Sequence, residues 1–288
     1  MMKRLGALLS MLGIAASSTA GTATAADREP ILVATPDAPV GFGYKISWFA
    51  IKCGDSGAVV EALSLQNPRP ANWASGIEAA YARDSVGAES LVFVSPPIDG
   101  WVMAVGFGLP IPDHRDPKTQ GRGKVDPRFD VLFSTLAKRF PDVQFFASYR
   151  VVGLSAWARA RAGRIERVFA YADGEVYANL GAQTAEEKTL GFLDVSGLSP
   201  LAAREAIFRN AEELDAKEGA LLAGGMDGKS AQRMALGSRR APIPGEDDPI
   251  DLAGKWSVYP LRLDERKLAP SLGVVGRFVA DAPSRPRE

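Results

Sequence analysis

The sequence predicts an α+β fold with a mainly antiparallel sheet and helices packed on one face of that sheet. Two observations support this class. Runs rich in aromatic and β-branched residues, such as "SLVFVS" and "WVMAVGFG", are joined by short turns that contain proline and glycine, which is typical of antiparallel strands. Segments with apolar residues at helical spacing lie between groups of such runs and do not alternate regularly with them.

The chain begins with a pattern that is typical of a secretory signal peptide. Lys3 and Arg4 form a basic start, an apolar run follows, and small residues lead to an A-x-A sequence at 23–25. The apolar run is shorter than the ~20 residues that cross a bilayer. We therefore expect residues 1–25 to be removed, and the mature protein to be periplasmic or secreted without a membrane span.

Residues 26–195 are predicted to form the core domain, which starts in the order β-α-α-β-β. The run "ISWFAIK" predicts the first strand, and Asp55 or Ser56 caps the helix after it. The sequence "NPRP" predicts a turn before a second helix, which is capped by Asn72. The strands "SLVFVS" and "WVMAVGFG" then form a hairpin through the turn "PPIDG".

A long loop is expected at residues 107–125, and an amphipathic helix follows it. The loop contains His114 and several basic residues but no apolar periodicity, so we interpret it as a solvated connection. Asp126 and Pro127 have the residue types of a helix cap and first helical position. Apolar residues then recur at i, i+3, i+4 and i+7 until Pro141, and a strand "VQFFASYRVV" follows.

The arginine-rich stretch "RVVGLSAWARARAGRIERVFAYADG" fits either a helix or a β-hairpin. Alanine and arginine favour a helix, whereas period-two alternation and Gly163 favour a hairpin that turns at Ala162-Gly163. We predict the hairpin. Its solvated face would then place Trp157 opposite Val168, and Arg159 opposite Glu166.

The remaining chain is predicted as a helix with a flexible linker at 196–246, a segment at 247–280 that packs on the core, and a disordered tail at 281–288. Thr184 and Glu187 have capping-box spacing before this region, and Ser199-Pro200 begins a long polar helix. Residues 223–246 are rich in Gly, Arg and Pro, which is typical of a linker. Asp248-Pro249 begins a short helix, and "SVYPLRL" and "GVVGRFV" predict two peripheral strands.

The chemical inventory excludes several classes of function. One histidine and one cysteine do not suffice for most zinc and copper sites, and we expect no cofactor. Cys53 has no cysteine to pair with, and we interpret it as a packed thiol. The 34 basic and 34 acidic residues balance, which is not the basic excess of a nucleic-acid binder. A Ser-His-Asp site would need His114, whose loop does not suit a rigidly held base.

The chain resembles an uncharacterised family of bacterial proteins over roughly residues 44–171 and the stretch near Trp256. The resemblance rests on "YKISWFAIKCGDSGAVVEALSL", "FVSPPIDGWVMAVG", "VQFFASYRVVGLSAWARARAGRIERVFAYADGE" and "DPIDLAGKWSVYP". They contain the P-x-x-G-W and A-W-A-R-A motifs of the family. Similar sequences often have an aromatic-His pair where this chain has Leu154-Ser155. The resemblance supports the fold and implies no activity.

The function expected from the sequence is that of an exported binding protein without catalytic activity, such as an inhibitor or immunity protein against a toxin or envelope enzyme. Its partner would be another periplasmic protein. Tryptophan and arginine are enriched at binding hot spots. The candidate binding residues are therefore Trp101, Trp157, Arg159, Arg161 and Arg164, with Asp99 on the adjacent turn. Each also has an ordinary structural explanation: Trp101 as sheet core, the arginines as a solvated face, and Asp99 as a turn former.

Two alternative functions stay open at this stage. A carboxylate-based hydrolase of cell-envelope material needs two acidic side chains in one cleft, one of them in apolar surroundings. Acidic residues are plentiful, with a cluster at Glu246, Asp247, Asp248 and Asp251. A small-ligand-binding protein needs an apolar cavity of roughly 300–1,000 Å³. No catalytic or metal-binding residue is assigned.

Overall fold

The computed structural model describes residues 30–82, 89–115 and 127–279. The predicted signal peptide, the Asp126 cap and the predicted tail lie outside the described residues. The described strands form one antiparallel sheet in the order β2-β9-β3-β4-β1-β5-β6-β7-β8. This confirms the α+β class and the mainly antiparallel sheet.

The strands and helices have the following bounds. The strands are β1 Ile46–Lys52, β2 Gln66–Asn72, β3 Glu89–Val94, β4 Trp101–Gly106, β5 Asp142–Tyr149, β6 Leu154–Arg161, β7 Arg164–Ala172, β8 Glu175–Leu180 and β9 Leu272–Val279. The helices are α1 Ser56–Ala62, α2 Trp73–Tyr81, α3 Arg128–Arg139, α4 Ala185–Thr189, α5 Pro200–Ala223, α6 Gly228–Leu236 and α7 Asp248–Trp256.

Helices cover both faces of the sheet, where the sequence predicts helices on one face only. Trp48 points into an apolar cluster that includes residues of α2, α5 and α7. The next residue, Phe49, points into a second cluster that includes residues of α1 and α3. The side chains of β1 are buried without interruption from Ile46 to Ile51. A strand that is buried on both faces has such a continuous buried run, since its side chains alternate between the two faces.

Two C-terminal predictions need correction. The run "GVVGRFV" is not peripheral, since β9 lies inside the sheet between β2 and β3. The run "SVYPLRL" is not a strand but contains a short 3₁₀ helix, Pro260–Arg262. The predicted turn "NPRP" lies within β2, an edge strand, where prolines are tolerated because one side of the strand has no ladder to complete.

The arginine-rich stretch forms the predicted hairpin, and its turn is at Ala162-Gly163, with φ of 47° and 79°. The pairs next to the turn are as predicted, but the predicted pairs from Arg159 onward are wrong, because a β-bulge shifts the register between Arg159 and Ala160. Arg159 therefore lies opposite Arg167, and Trp157 lies opposite Phe169. This face is packed against the body of the protein, and Trp157 is buried.

Several of the predicted helix starts have the expected capping hydrogen bonds, whereas α7 begins without a side-chain cap. Asp55 accepts a hydrogen bond from the backbone of Gly57, and Asn72 accepts one from Ser75. Thr184 and Glu187 form a complete capping box. The predicted linker contains α6, which packs against α5, and residues 237–247 beyond it form an irregular segment that we call the strap.

Candidate functional site

The residues predicted as a binding surface lie in three separate places. Trp157, which is buried, and Arg159, which is partly buried, lie in the middle of β6. Arg161 and Arg164 are exposed at the turn of the β6–β7 hairpin. Asp99 and Trp101 lie at the β3–β4 turn. Three interstrand steps, or about 14 Å, separate β4 from β6. The structure therefore does not bring the six residues together.

The β3–β4 turn is held by contacts within the protein. Asp99 and Gly100 have positive φ values of 53° and 77°, and the Asp99 carboxylate pairs with Arg266. Lys52 donates a hydrogen bond to the Asp99 carbonyl at 3.1 Å, and its ammonium lies 4.9 Å from the ring centroid of Trp101. Asp99 thus acts as a turn former, and Trp101 is part of the core.

The three predicted arginines of the hairpin differ in their surroundings. Arg159 binds the Asp142 carboxylate at 2.8 Å and lies over the ring of Trp256. Arg161 pairs with Glu166 at 2.7 Å on the exposed side, where Arg164 is also exposed. Only Arg159 therefore extends into the packed face of the sheet.

A buried ion pair, which the sequence analysis did not identify, lies next to Trp157. The Arg167 Nε donates to Glu187 Oε1 at 2.9 Å, and the two side chains are only 2% and 1% exposed. Glu187 also accepts hydrogen bonds from Trp157 Nε1 and from the Thr184 backbone N–H. The far side of Arg167 donates to Asn179. The capping-box spacing of Glu187 was the only sequence signal for this arrangement.

A small cavity adjoins this ion pair, between the β6–β7 hairpin, the segment after α4, α5 and the strap. Its volume is about 40 Å³. Aromatic and aliphatic side chains form most of its wall, with two ion pairs among them. The lining includes Trp157, Arg167, Phe169, Glu187, Phe192, Leu193, Val195, Ile207, Asp248 and the strap residues Arg240, Ala241, Pro242, Ile243 and Pro244.

The second ion pair of the cavity fixes the strap to α7. Arg240 Nε bonds to Asp248, and Arg240 Nη2 bonds to Asp251, each at 2.5 Å. Burial raises the pKa of Asp248, although the backbone N–H of Gly245 and the Arg240 guanidinium oppose this shift. Both carboxylates of the cavity, Glu187 and Asp248, thus already accept hydrogen bonds from within the chain.

The residues that could carry other chemistry are placed apart from the cavity lining. The single histidine, His114, contacts Asp130 of α3 at 2.9 Å, and Asp130 is half-exposed. Cys53 is a free thiol. Within the described ranges, no group of three or more His, Cys, Asp or Glu side chains is arranged to hold a metal ion. The helices of these same ranges include none that combines the length and apolar character needed to cross a membrane.

Comparison with known proteins gives no relative for this arrangement. No protein-family model matches the chain, and no curated protein or solved structure matches it.

Proposed function

We propose that this protein is a non-catalytic binding protein whose cavity receives one short apolar side chain of a protein partner. The observation that carries the proposal is the size of the cavity. A metabolite-sized ligand needs roughly 300–1,000 Å³, whereas this cavity measures about 40 Å³. A single water needs about 10–15 Å³, so the cavity suits a few waters or one aliphatic side chain. Binding hot spots typically bury such anchors in well-packed pockets.

The polar groups of the cavity support recognition over catalysis. Glu187 accepts hydrogen bonds from Arg167, Trp157 and Thr184, so both of its carboxylate oxygens are already engaged within the chain. Arg240 is bound to Asp248 and Asp251. A fixed network of this kind shapes a pocket but offers no free proton acceptor.

A carboxylate-based hydrolase is the second candidate, because Glu187 and Asp248 line one cavity and burial raises the pKa of Asp248. This function predicts that the purified protein releases soluble fragments from cell-envelope material. It also predicts that Asp248→Asn abolishes the release while Glu61→Gln, on the opposite side of the sheet, does not. Lack of release by the unaltered protein would remove this candidate.

The place of action is part of the proposal. The signal-like residues 1–25 support export, and we therefore propose a periplasmic or secreted partner, such as a toxin or an envelope enzyme. The near balance of charge is consistent with a protein partner and not with nucleic acid.

Site-specific photo-crosslinking tests the proposal. A photoreactive side chain is introduced at Ile243, a cavity residue that is 44% exposed, and at Val131, which is 64% exposed on α3 over the other face of the sheet. We expect a discrete crosslinked partner from position 243 in the cells that make the protein, and none from position 131. Leu193→Trp, which fills the cavity, should abolish the product. Equal labelling at both positions, or a product that Leu193→Trp leaves unchanged, would overturn the proposal.

A further inference from the structure

The strap, residues 237–247, is held on the body of the protein mainly by polar contacts. None of its residues is buried, whereas Ala235 before it and Asp248 after it are buried. Local opening is easiest in segments with few buried apolar contacts. The strap can therefore leave the body without unfolding of the sheet.

The body contacts the strap backbone through hydrogen bonds, much as a protein binds a peptide. Asn210 Nδ2 donates to the Pro242 carbonyl at 3.1 Å, and Ser148 Oγ donates to the Glu246 carbonyl at 2.8 Å. The Arg240 backbone N–H donates to the Gly191 carbonyl at 2.9 Å. The body thus presents two side-chain donors and one backbone acceptor along the strap.

The strap also has the proline-rich composition that is typical of peptide ligands of aromatic-lined grooves. Pro242 and Pro244 flank Ile243, and the strap side of the cavity faces the aromatic rings of Trp157 and Phe192. Proline-containing segments bind aromatic-lined grooves at low entropic cost, because proline restricts the free peptide in advance. The groove below the strap therefore fits a segment with the chemistry of the strap.

Two buried polar atoms, one at the strap interface and one in the sheet beside it, have no hydrogen-bond partner within the described chain. These atoms are Asn210 Oδ1 and Ser155 Oγ. Asn210 contacts the strap through its amide nitrogen, and Ser155 is the cross-strand neighbour of Ser148. Buried polar atoms without partners destabilise the state that buries them. Opening of the strap, or another occupant of the groove, would relieve that penalty.

We propose that the strap is a displaceable internal ligand, and that its groove takes a proline-containing segment of the partner in its place. This inference rests on the proposed function and adds the class of partner segment and the way access is controlled. The cavity of the closed protein accepts one side chain, and displacement of the strap exposes the backbone-binding contacts beside it.

Hydrogen exchange and peptide binding on the full chain test the inference. The probe is a labelled heptapeptide with the sequence of residues 240–246, and the control peptide has alanine at both proline positions. In the unaltered protein, strap amides should exchange faster than those of β5 and β6. Arg240→Gln removes the bonds to Asp248 and Asp251, and it should raise the affinity for the probe by about ten-fold, because a larger fraction of molecules is open.

Two further variants separate displacement from a folding defect. Tyr44→Phe removes only the hydrogen bond to Asp247 at the end of the strap, and it should raise strap exchange without altering β5. Adding Ser148→Ala to Arg240→Gln should lower probe affinity, since it deletes a donor of the groove. The inference fails if strap amides exchange only with those of β5, or if Arg240→Gln binds probe and control equally. A partner crosslink at position 243 in that event would leave the proposed function standing.

Discussion

Replacing Glu187 by glutamine should destabilise the folded protein by about 3–5 kcal/mol, because it leaves a buried guanidinium without a counter-charge. The Arg167 and Glu187 side chains are 2% and 1% exposed, so water cannot solvate the orphaned cation. Glutamine keeps the shape of glutamate. Its single acceptor oxygen can serve Trp157 Nε1 or the Thr184 backbone N–H, and its NH2 group then faces the other donor. The loss therefore combines the missing counter-charge with one lost hydrogen bond, while the packing is kept.

The hairpin provides a matched control in the Arg161–Glu166 pair. It has a similar short contact of 2.7 Å, but its side chains are 52% and 27% exposed. Glu166→Gln should cost no more than about 1 kcal/mol, because solvent screens an exposed pair and already hydrates both charges. The difference in burial alone thus predicts a several-fold difference in effect.

Urea unfolding followed by tryptophan fluorescence measures both free energies of unfolding. Removing both charges, as in Arg167→Met with Glu187→Leu, should cost less than Glu187→Gln alone, since an apolar pair leaves no buried ion. A Glu187→Gln variant that is no less stable than Glu166→Gln would refute the reasoning, and so would a double variant that loses the sum of its single losses.

Three further predictions follow from backbone geometry, packing and titration. Ala162 has a φ of 47° in the hairpin turn, so Ala162→Asn should raise the free energy of unfolding by about 0.5–1 kcal/mol; a loss in urea unfolding would contradict this. A Cβ on Gly76 would lie 2.2 Å from the buried Phe93 ring, so Gly76→Ala should lower the free energy of unfolding by about 1–3 kcal/mol. A Cβ on Gly219 of α5 would meet open space, so Gly219→Ala should raise the free energy of unfolding by up to about 1 kcal/mol. Equal effects of the two substitutions in urea unfolding would count against the packing argument. The hydrogen bond to Asp247 raises the pKa of Tyr44 to about 12 from an ordinary 10.0. The stability that this bond gives the folded protein is therefore complete below pH 10.0 and is lost as the pH rises through the pKa of about 12 in the folded state. The ionisation of Tyr44 can be followed by tyrosinate absorbance, as the difference from the Tyr44→Phe variant. It should move to lower pH in Asp247→Asn, and an unchanged titration would contradict the assignment.

Helix starts were predictable because their chemistry is local. The side chains of Asn72 and Thr184 reach backbone groups three residues further along the chain, and Asp55 reaches one two residues away. Such spacing is visible in the sequence and requires no knowledge of the tertiary structure. The turn at Ala162-Gly163 is local in the same way. These elements are correct in the structure for the reasons that predicted them.

Long-range placement could not be obtained from the same signals. The strand Leu272–Val279 pairs with Gln66–Asn72 and Glu89–Val94, which lie 180 to 211 residues earlier in the chain (274 − 94 to 277 − 66). Its apolar pattern indicates a strand but contains nothing about its neighbours, so an edge position and an interior position have the same local signature. The strap presents the opposite problem, since a Gly- and Pro-rich composition does not distinguish a free linker from a segment seated in a groove.

The candidate site was missed because one extra residue in β7 decides which arginines are buried. The bulge makes Glu166 an extra residue of β7 near the exposed hairpin turn, where it pairs with Arg161, and places Arg167 opposite Arg159 on the packed face. A slip of one residue moves side chains to the other face of a strand. Two neighbouring guanidinium groups then each need a carboxylate: Asp142 meets Arg159, and the helix α4 supplies Glu187 to Arg167. The bulged residue also lies close to the chain outside the hairpin, since a Cβ on Gly181 would be 1.9 Å from the Glu166 carbonyl oxygen. The cavity wall is therefore a consequence of strand register, and a change that removed the bulge would alter the site without touching any residue that lines it.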